Sequence, residues 1–287
     1  MRDGRPSTTA AFVSFFRGAA SGPGTPFRGM RDELARDLVP AWLRAPLAAI
    51  EARPALLPLA RLLSLGLLDH VSLRTAAIDD ELRTALGRGA AQLVILGAGL
   101  DARAFRLADL GDTAVFEVDF PATQLAKRAR LDGSLATARE VAFVGVDFER
   151  DLLDERLAEA GHDPGMPTVW IWEGVTPYLD EQALEATLEV VARRSAEAST
   201  LLVTYATPDL VRLGFVPRPL LRAAFFILGE PIKSAFEPAQ IRARLEARGF
   251  SVTSDTGSPE WATRFLEGEP ASIVIAERLA AAVRARR

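Results

Sequence analysis

Between Leu93 and Leu107 the chain reads LVILGAGLDARAFRL, an apolar run followed by two glycines, an acid and two arginines. Gly97, Gly99 and Ala102 fit the G-x-G-x-x-G/A spacing in which the backbone turns tightly and approaches a nucleotide-type ligand. Glu117 and Asp119 fall near the acidic position expected about twenty residues later. Asp101, however, stands inside the loop where a pyrophosphate would have to lie. Three more acids end apolar runs: Asp119 after AVFEV, Asp147 after VAFVGV and Glu173 after TVWIW. Ligands of open α/β sheets bind outside the carboxyl ends of the strands, so four carboxylates would line that crevice. S-adenosylmethionine has no phosphate, and its sulfonium, ammonium, ribose hydroxyls and adenine amine all suit carboxylate partners. The acid pattern therefore favours this cofactor over a nicotinamide dinucleotide.

Each of these residues also has a plainer reading. Gly97 and Gly99 can serve a tight turn alone, Asp119 can cap the helix after Phe120-Pro121, and Asp147 can sit in a solvated turn. Glu173 resists such a reading, because an unpaired charge beside Trp170 and Trp172 would be costly. Arg74 alone would read as a surface ion pair with Asp79, Asp80 or Glu81. Tyr178 in GVTPYL fits either a substrate-positioning hydroxyl or a buried aromatic. Of the two possible bases, His70 and His162, the second lies in a Gly-His-Asp-Pro turn and is expected to be exposed. No catalytic dyad is required, since a carboxylate acceptor is already ionised near neutral pH.

Positioning these side chains requires a sheet. Five apolar runs from Gln92 to Leu201 alternate with helical stretches, the pattern of a parallel sheet covered on both faces. Ile78, Leu82 and Leu86 recur at i, i+4, i+8 before Gly87, and Leu184, Leu188 and Val191 form a stripe after the N-cap Asp180. Pro238 opens a further helix through Ile241 and Leu245 that stops at Gly249, ahead of a strand at Phe250. A last run, ASIVIAERL, is expected to close the sheet. The first ninety residues are mainly helical, and Pro208 to Pro231 fits neither period, which suggests a cap insertion over about 208–235. This divides the chain into a helical region or lid at 1–88, packed on the core, and an α/β domain at 89–287.

Composition narrows the function classes. Lys+Arg 34 against Asp+Glu 38 gives no basic face for nucleic acid, and the absence of cysteine removes disulfide and thiolate chemistry. With two histidines, no dedicated metal site is expected. The longest apolar stretch, Leu56 to Leu68, contains Pro58 and Arg61 and is shorter than the roughly 20 residues of a membrane span. The amino terminus makes a poor secretory signal, so the expected location is the cytoplasm, with a small-molecule substrate and no membrane partner.

Five blocks in order, RTAAIDDEL at Arg74, ILGAGLDAR at Ile95, FEVDFP at Phe116 followed by KRARL, GVDFERD at Gly145 and EGVTPYL at Glu173, resemble the leucine carboxyl methyltransferase family. The likeness extends to its bacterial branch of S-adenosylmethionine-dependent and tetracenomycin-type polyketide O-methyltransferases. It implies a class I methyltransferase-like (Rossmann-like) α/β fold, with a mostly parallel seven-stranded sheet and helices on both faces. The cofactor residues it implies are Arg74 on the methionine carboxylate, Gly97, Gly99 and Asp101 in the loop, Asp119 on the ribose, Asp147 and Phe148 around adenine, and Glu173 at the amino-acid end. The implied activity is methyl transfer to a carboxylate or hydroxyl of a small molecule, possible in secondary metabolism, or to a peptide or protein carboxy terminus. Two departures matter: the family's Asp-Thr-Arg is Asp101-Ala102-Arg103 here, and the lysine that protein-directed members carry near the amino terminus is missing, Lys127 being the first. In STTAAFVSFF, Thr8, Thr9 or Arg17 could fold over the cofactor, or the helix could simply pack through Phe12, Phe15 and Phe16. The aromatics Phe215, Phe225, Phe226, Phe236, Trp261 and Phe265 could line an acceptor pocket or belong to a core.

Overall fold

The structure is a computed structural model that describes residues 8–131, 133–147, 152–211, 233–268 and 275–285. Seven strands are found among these residues: β1 (Gln92–Leu96), β2 (Ala114–Asp119), β3 (Glu140–Gly145), β4 (Thr168–Trp172), β5 (Thr200–Val211), β6 (Phe250–Gly257) and β7 (Ile275–Arg284). They form one sheet in the order β3-β2-β1-β4-β5-β7-β6. Strands β1 to β5 run parallel, and β7 runs antiparallel to both of its neighbours.

The strands need cover on both faces, and their period of two explains how they obtain it. Leu93, Ile95, Val115, Val169, Ile171 and Leu202 point to one side, where the amino-terminal helices lie: α1 (Thr8–Ala20), α2 (Ala35–Leu38), α3 (Ala41–Ala52), α4 (Leu57–Leu63) and α5 (Leu67–Gly87). Ala11, Leu47, Ile78 and Leu82 of these helices join the same apolar cluster, so the amino-terminal region and the sheet share one core. Val94, Leu96, Phe116, Trp170, Trp172 and Val203 point the other way. There they meet α9 (Glu181–Arg193) and α10 (Pro238–Glu246), which follow the short helices α6 (Arg103–Arg106), α7 (Pro121–Arg130) and α8 (Leu153–Glu159). Asp180 caps α9 by accepting the Ala183 N–H at 2.9 Å, as its sequence position predicts.

Two expectations need correction. The last strand does not take the sheet edge: β7 inserts between β5 and β6. Leu279, Ala280, Ala281 and Ala282 are all buried, as an interior strand requires, whereas β6 alternates buried with exposed residues and suits the edge. Phe236, Trp261 and Phe265 are core residues, the last two on α11 (Ser258–Phe265) against the amino-terminal helices. Phe215, Phe225, Phe226 and most of the cap insertion lie outside the described residues.

His162 is the second. Its ring is buried against Phe116 and Trp170, with centroids 5.4 and 5.2 Å away, and Nε2 lies 3.1 Å from Oγ1 of Thr168. Burial, aided by the nearby Arg194, pushes its pKa down from 6.5 to about 4. The folded state therefore holds the ring neutral while the unfolded chain protonates, so stability is full above about pH 6.5, falls as the pH drops from there toward about 4 and levels off below it. Urea titrations at pH 7 and 5 should show a loss of about 2 kcal/mol attributable to this ring, and His162→Phe should remove that part of the pH dependence.

Candidate functional site

The crevice lies where strand order reverses, outside the carboxyl ends of β1 and β4. Asp101 lies in the loop after β1, Asp119 ends β2, Asp147 lies just beyond β3 and Glu173 directly follows β4, so all four acids fall at the carboxyl ends of neighbouring strands. Asp147 is half-buried, and Phe148 lies outside the described residues.

The loop after β1 is bent by Gly97 at φ 69° and Gly99 at φ 50°, both in the left-handed region where a side chain is strained. Close approach matters as much as the turn. A Cβ on Gly97 would collide with Cγ2 of Val175, and one on Gly99 would lie 3.3 Å from Cβ of Ala10 on α1. Helix α1 thus rests on the glycine loop, and Arg17 fastens it there by donating to the Leu100 carbonyl at 2.5 Å and pairing with Asp32 at 2.9 Å. Phe15 and Phe16 meanwhile pack on the core, whereas Phe12 is exposed.

The donors that a dinucleotide loop reserves for pyrophosphate are already engaged. Asp119 accepts the Gly99 N–H through Oδ2 and the Phe120 N–H at 2.6 Å through Oδ1. Asp101 accepts the Arg103 N–H at 2.7 Å, and the helix that begins there, α6, is a single turn with little dipole to offer. Burial raises the Asp119 carboxyl, and the two amide hydrogen bonds offset this only in part. Neighbouring Glu117 is also lifted by burial, to about 7, although Lys127 donates to it at 2.5 Å.

Between the rim and α5 runs a buried chain of alternating charges. Arg74 donates from Nε to Glu173 at 3.0 Å and from Nη1 to Glu277 at 2.8 Å. Arg103 is fully buried; it meets Asp79 at 2.7 Å, Glu173 at 2.9 Å and Asp101, and Arg106 closes the far end on Asp79 at 2.7 Å. Burial alone would raise Asp101 and Glu173, but the guanidinium charges outweigh it and hold both carboxyls below their usual range. Two expectations change here. Arg74 reaches across the crevice and leaves Asp79, Asp80 and Glu81 to other partners. Asp101 serves Arg103, so it is no free acid of the rim. Tyr178 is half-buried in a single 3₁₀ turn after Glu173.

A profile of the family described as leucine carboxyl methyltransferase matches residues 17–192, more than half of the chain. The chain belongs to the leucine carboxyl methyltransferase family. The matched span carries every rim acid, both loop glycines and Arg74. Among bacterial relatives, a candidate S-adenosyl-L-methionine-dependent methyltransferase of Streptomyces coelicolor is 40% identical over 142 residues, 49% of this chain and 50% of that protein. A relative from Frankia alni with the same description is 36% identical over 200 residues, covering 69% of this chain and 61% of its own length. The matches thus span half to about three fifths of these relatives. Among solved structures, a DUF574 family protein from Streptomyces avermitilis superposes with TM-score 0.61 at 16% identity, covering 98% of this chain and 99% of the other. A candidate methyltransferase from Thermobifida fusca gives TM-score 0.59 at 15% identity over 99% and 97%. These likenesses show the fold, a class I methyltransferase-like α/β sheet.

Sequence reasoning passed over Glu277, Asp79 and the coordinating role of Arg103. Glu277 alone left a trace, as an acid interrupting the apolar run ASIVIAERL.

Proposed function

We propose that this family member is an S-adenosylmethionine-dependent O-methyltransferase acting on a carboxylate or hydroxyl of a small molecule. The observation that supports the reading best is the pairing of a buried arginine with an acid at the switch point, beside a glycine loop whose Gly99 amide is already capped by Asp119. A pyrophosphate would find Asp101 and Asp119 in its place, which argues against the nicotinamide reading. An amino acid and a ribose fit the same groups. Neither Glu173 nor Glu277 engages Nη2 of Arg74, which remains available to a carboxylate, and Glu173 stands beside it for an ammonium group. The two Asp119 oxygens use one lone pair each on backbone amides and keep the others for ribose hydroxyls. Asp147, with Phe148, would face the adenine.

When bound, the cofactor supplies a methyl group on a sulfonium centre. The residues of this chain have to orient it, and holding donor and acceptor in line is worth roughly 7–11 kcal/mol. Arg74, Glu173 and Asp119 fix the donor at three separate points, and α1 over the glycine loop keeps water from that side. A carboxylate acceptor needs no base. Lys127 is buried on Glu117 and cannot play the part of an amino-terminal lysine, which favours a small acceptor over a protein tail.

Calorimetry should show saturable one-to-one binding of S-adenosylhomocysteine, and NADH and NADPH should leave thermal unfolding unchanged. Labelled methyl transfer to a panel of small carboxylic acids, phenols and carboxy-terminal peptides then sorts the acceptors, since methyl esters are released by base and aryl ethers are not. Absence of binding to both S-adenosylmethionine and its product would overturn the reading.

A further inference from the structure

Glu277 lies outside the span that the family profile matches. It stands opposite Ala206 of β5, the last residue before the β5–β7 register shifts, because β7 runs antiparallel and brings its early residues toward the crevice. Oε2 of Glu277 accepts from Nε2 of His70 at 2.6 Å and from Nη1 of Arg74 at 2.8 Å. His70 and Arg74 are four residues apart on α5 and so share a face. The other nitrogen of His70 lies 3.1 Å from Oγ of Ser258, the first residue of α11, and its ring sits 5.9 Å from that of Trp261. All of His70, Arg74 and Glu277 are buried.

This arrangement does more than balance charge. Glu173 alone would pair with Arg74 through one edge and leave the planar guanidinium free to pivot about that contact. A second carboxylate on Nη1 fixes the plane and leaves Nη2 with no acceptor among the described residues. Glu277 can do this only if its own carboxylate is held, which is what His70 provides. We propose that Glu277, braced by His70, is a positioning residue that sets the plane of Arg74 to receive the carboxylate of the methyl donor's amino-acid end. The inference rests on the cofactor reading above, and it concerns only that end of the ligand.

The test compares two ligands: S-adenosylhomocysteine, which carries the amino-acid carboxylate, and 5′-methylthioadenosine, which lacks it. Glu277→Gln should weaken the first by about tenfold, the low end of what loss of a supporting partner behind a ligating side chain costs, and leave the second within twofold. In an Arg74→Ala background the same change should cost nothing further. If Glu277→Gln does not fold, His70→Phe carries the same expected pattern. In turnover the effect should appear in KM for the donor, with kcat largely retained. Equal weakening of both ligands, or of neither, in a protein whose wild type binds both would overturn this inference and leave the cofactor reading standing. A wild type that binds neither ligand would overturn both.

Discussion

Arg103→Met should cost about 3–5 kcal/mol of folding stability at neutral pH, enough to prevent accumulation of folded protein if the parent is marginal. The side chain is fully buried and joins Asp79, Asp101 and Glu173. Methionine would fill much of the same space, so the loss would be electrostatic, with little contribution from a cavity. Arg106 would still answer Asp79 and Arg74 would still answer Glu173, but Asp101 would lose its direct ion-pair partner. Asp101 is held well below its unfolded value of 3.8, so its stabilising share is present above that value and lost as the pH falls. The deficit of the variant should therefore be largest at pH 7 and shrink below about pH 4, as read by urea titration with circular dichroism. Arg103→Lys should recover only part of the loss, because one ammonium cannot reach three carboxylates. A loss under about 1 kcal/mol at pH 7 would show that the cluster is not what holds the loop.

Asp119→Ala should lower the affinity for S-adenosylhomocysteine by about 100-fold. Two hydrogen bonds from ribose hydroxyls to a carboxylate, at roughly 1.5–3 kcal/mol each, comfortably supply this. Stability should change little by comparison. Burial already makes the ionised Asp119 unfavourable, and its removal relieves that cost while freeing the Gly99 and Phe120 amides. A 2′,3′-dideoxy analogue isolates the contact: it should bind wild type poorly and lose nothing further in the variant. Retention of S-adenosylhomocysteine within threefold would remove Asp119 from the ribose site.

The parts of this arrangement that could be read along the chain are those where cause and effect are local. The runs QLVIL, AVFEV and TVWIW are largely apolar and buried at every step because both faces of their strands are covered, and the acids behind them mark the carboxyl ends of neighbouring strands. The Asp180 cap and the stripe after it are likewise set within one turn. Contacts made only in space were hidden. Nothing near Glu277 in sequence reveals His70 or Arg74, about two hundred residues earlier. His162 occupies a turn, which normally means the surface, yet Phe116 and Trp170 on the sheet close over it. The acids of the rim could be placed, but their counter-charges could not, so Asp101 looked free when Arg103, two residues on, had claimed it.

In the buried charge chain acids outnumber arginines. Three guanidinium groups, on Arg74, Arg103 and Arg106, face the four carboxylates of Asp79, Asp101, Glu173 and Glu277. Among these side chains carboxylates outnumber guanidinium groups by one, where the dielectric is low and screening weak. S-adenosylmethionine carries a net single positive charge and its spent form carries none, so on the proposed reading the excess of carboxylates favours the loaded donor over the spent one. Turnover would restore the surplus, and with it a preference for exchanging product for fresh donor.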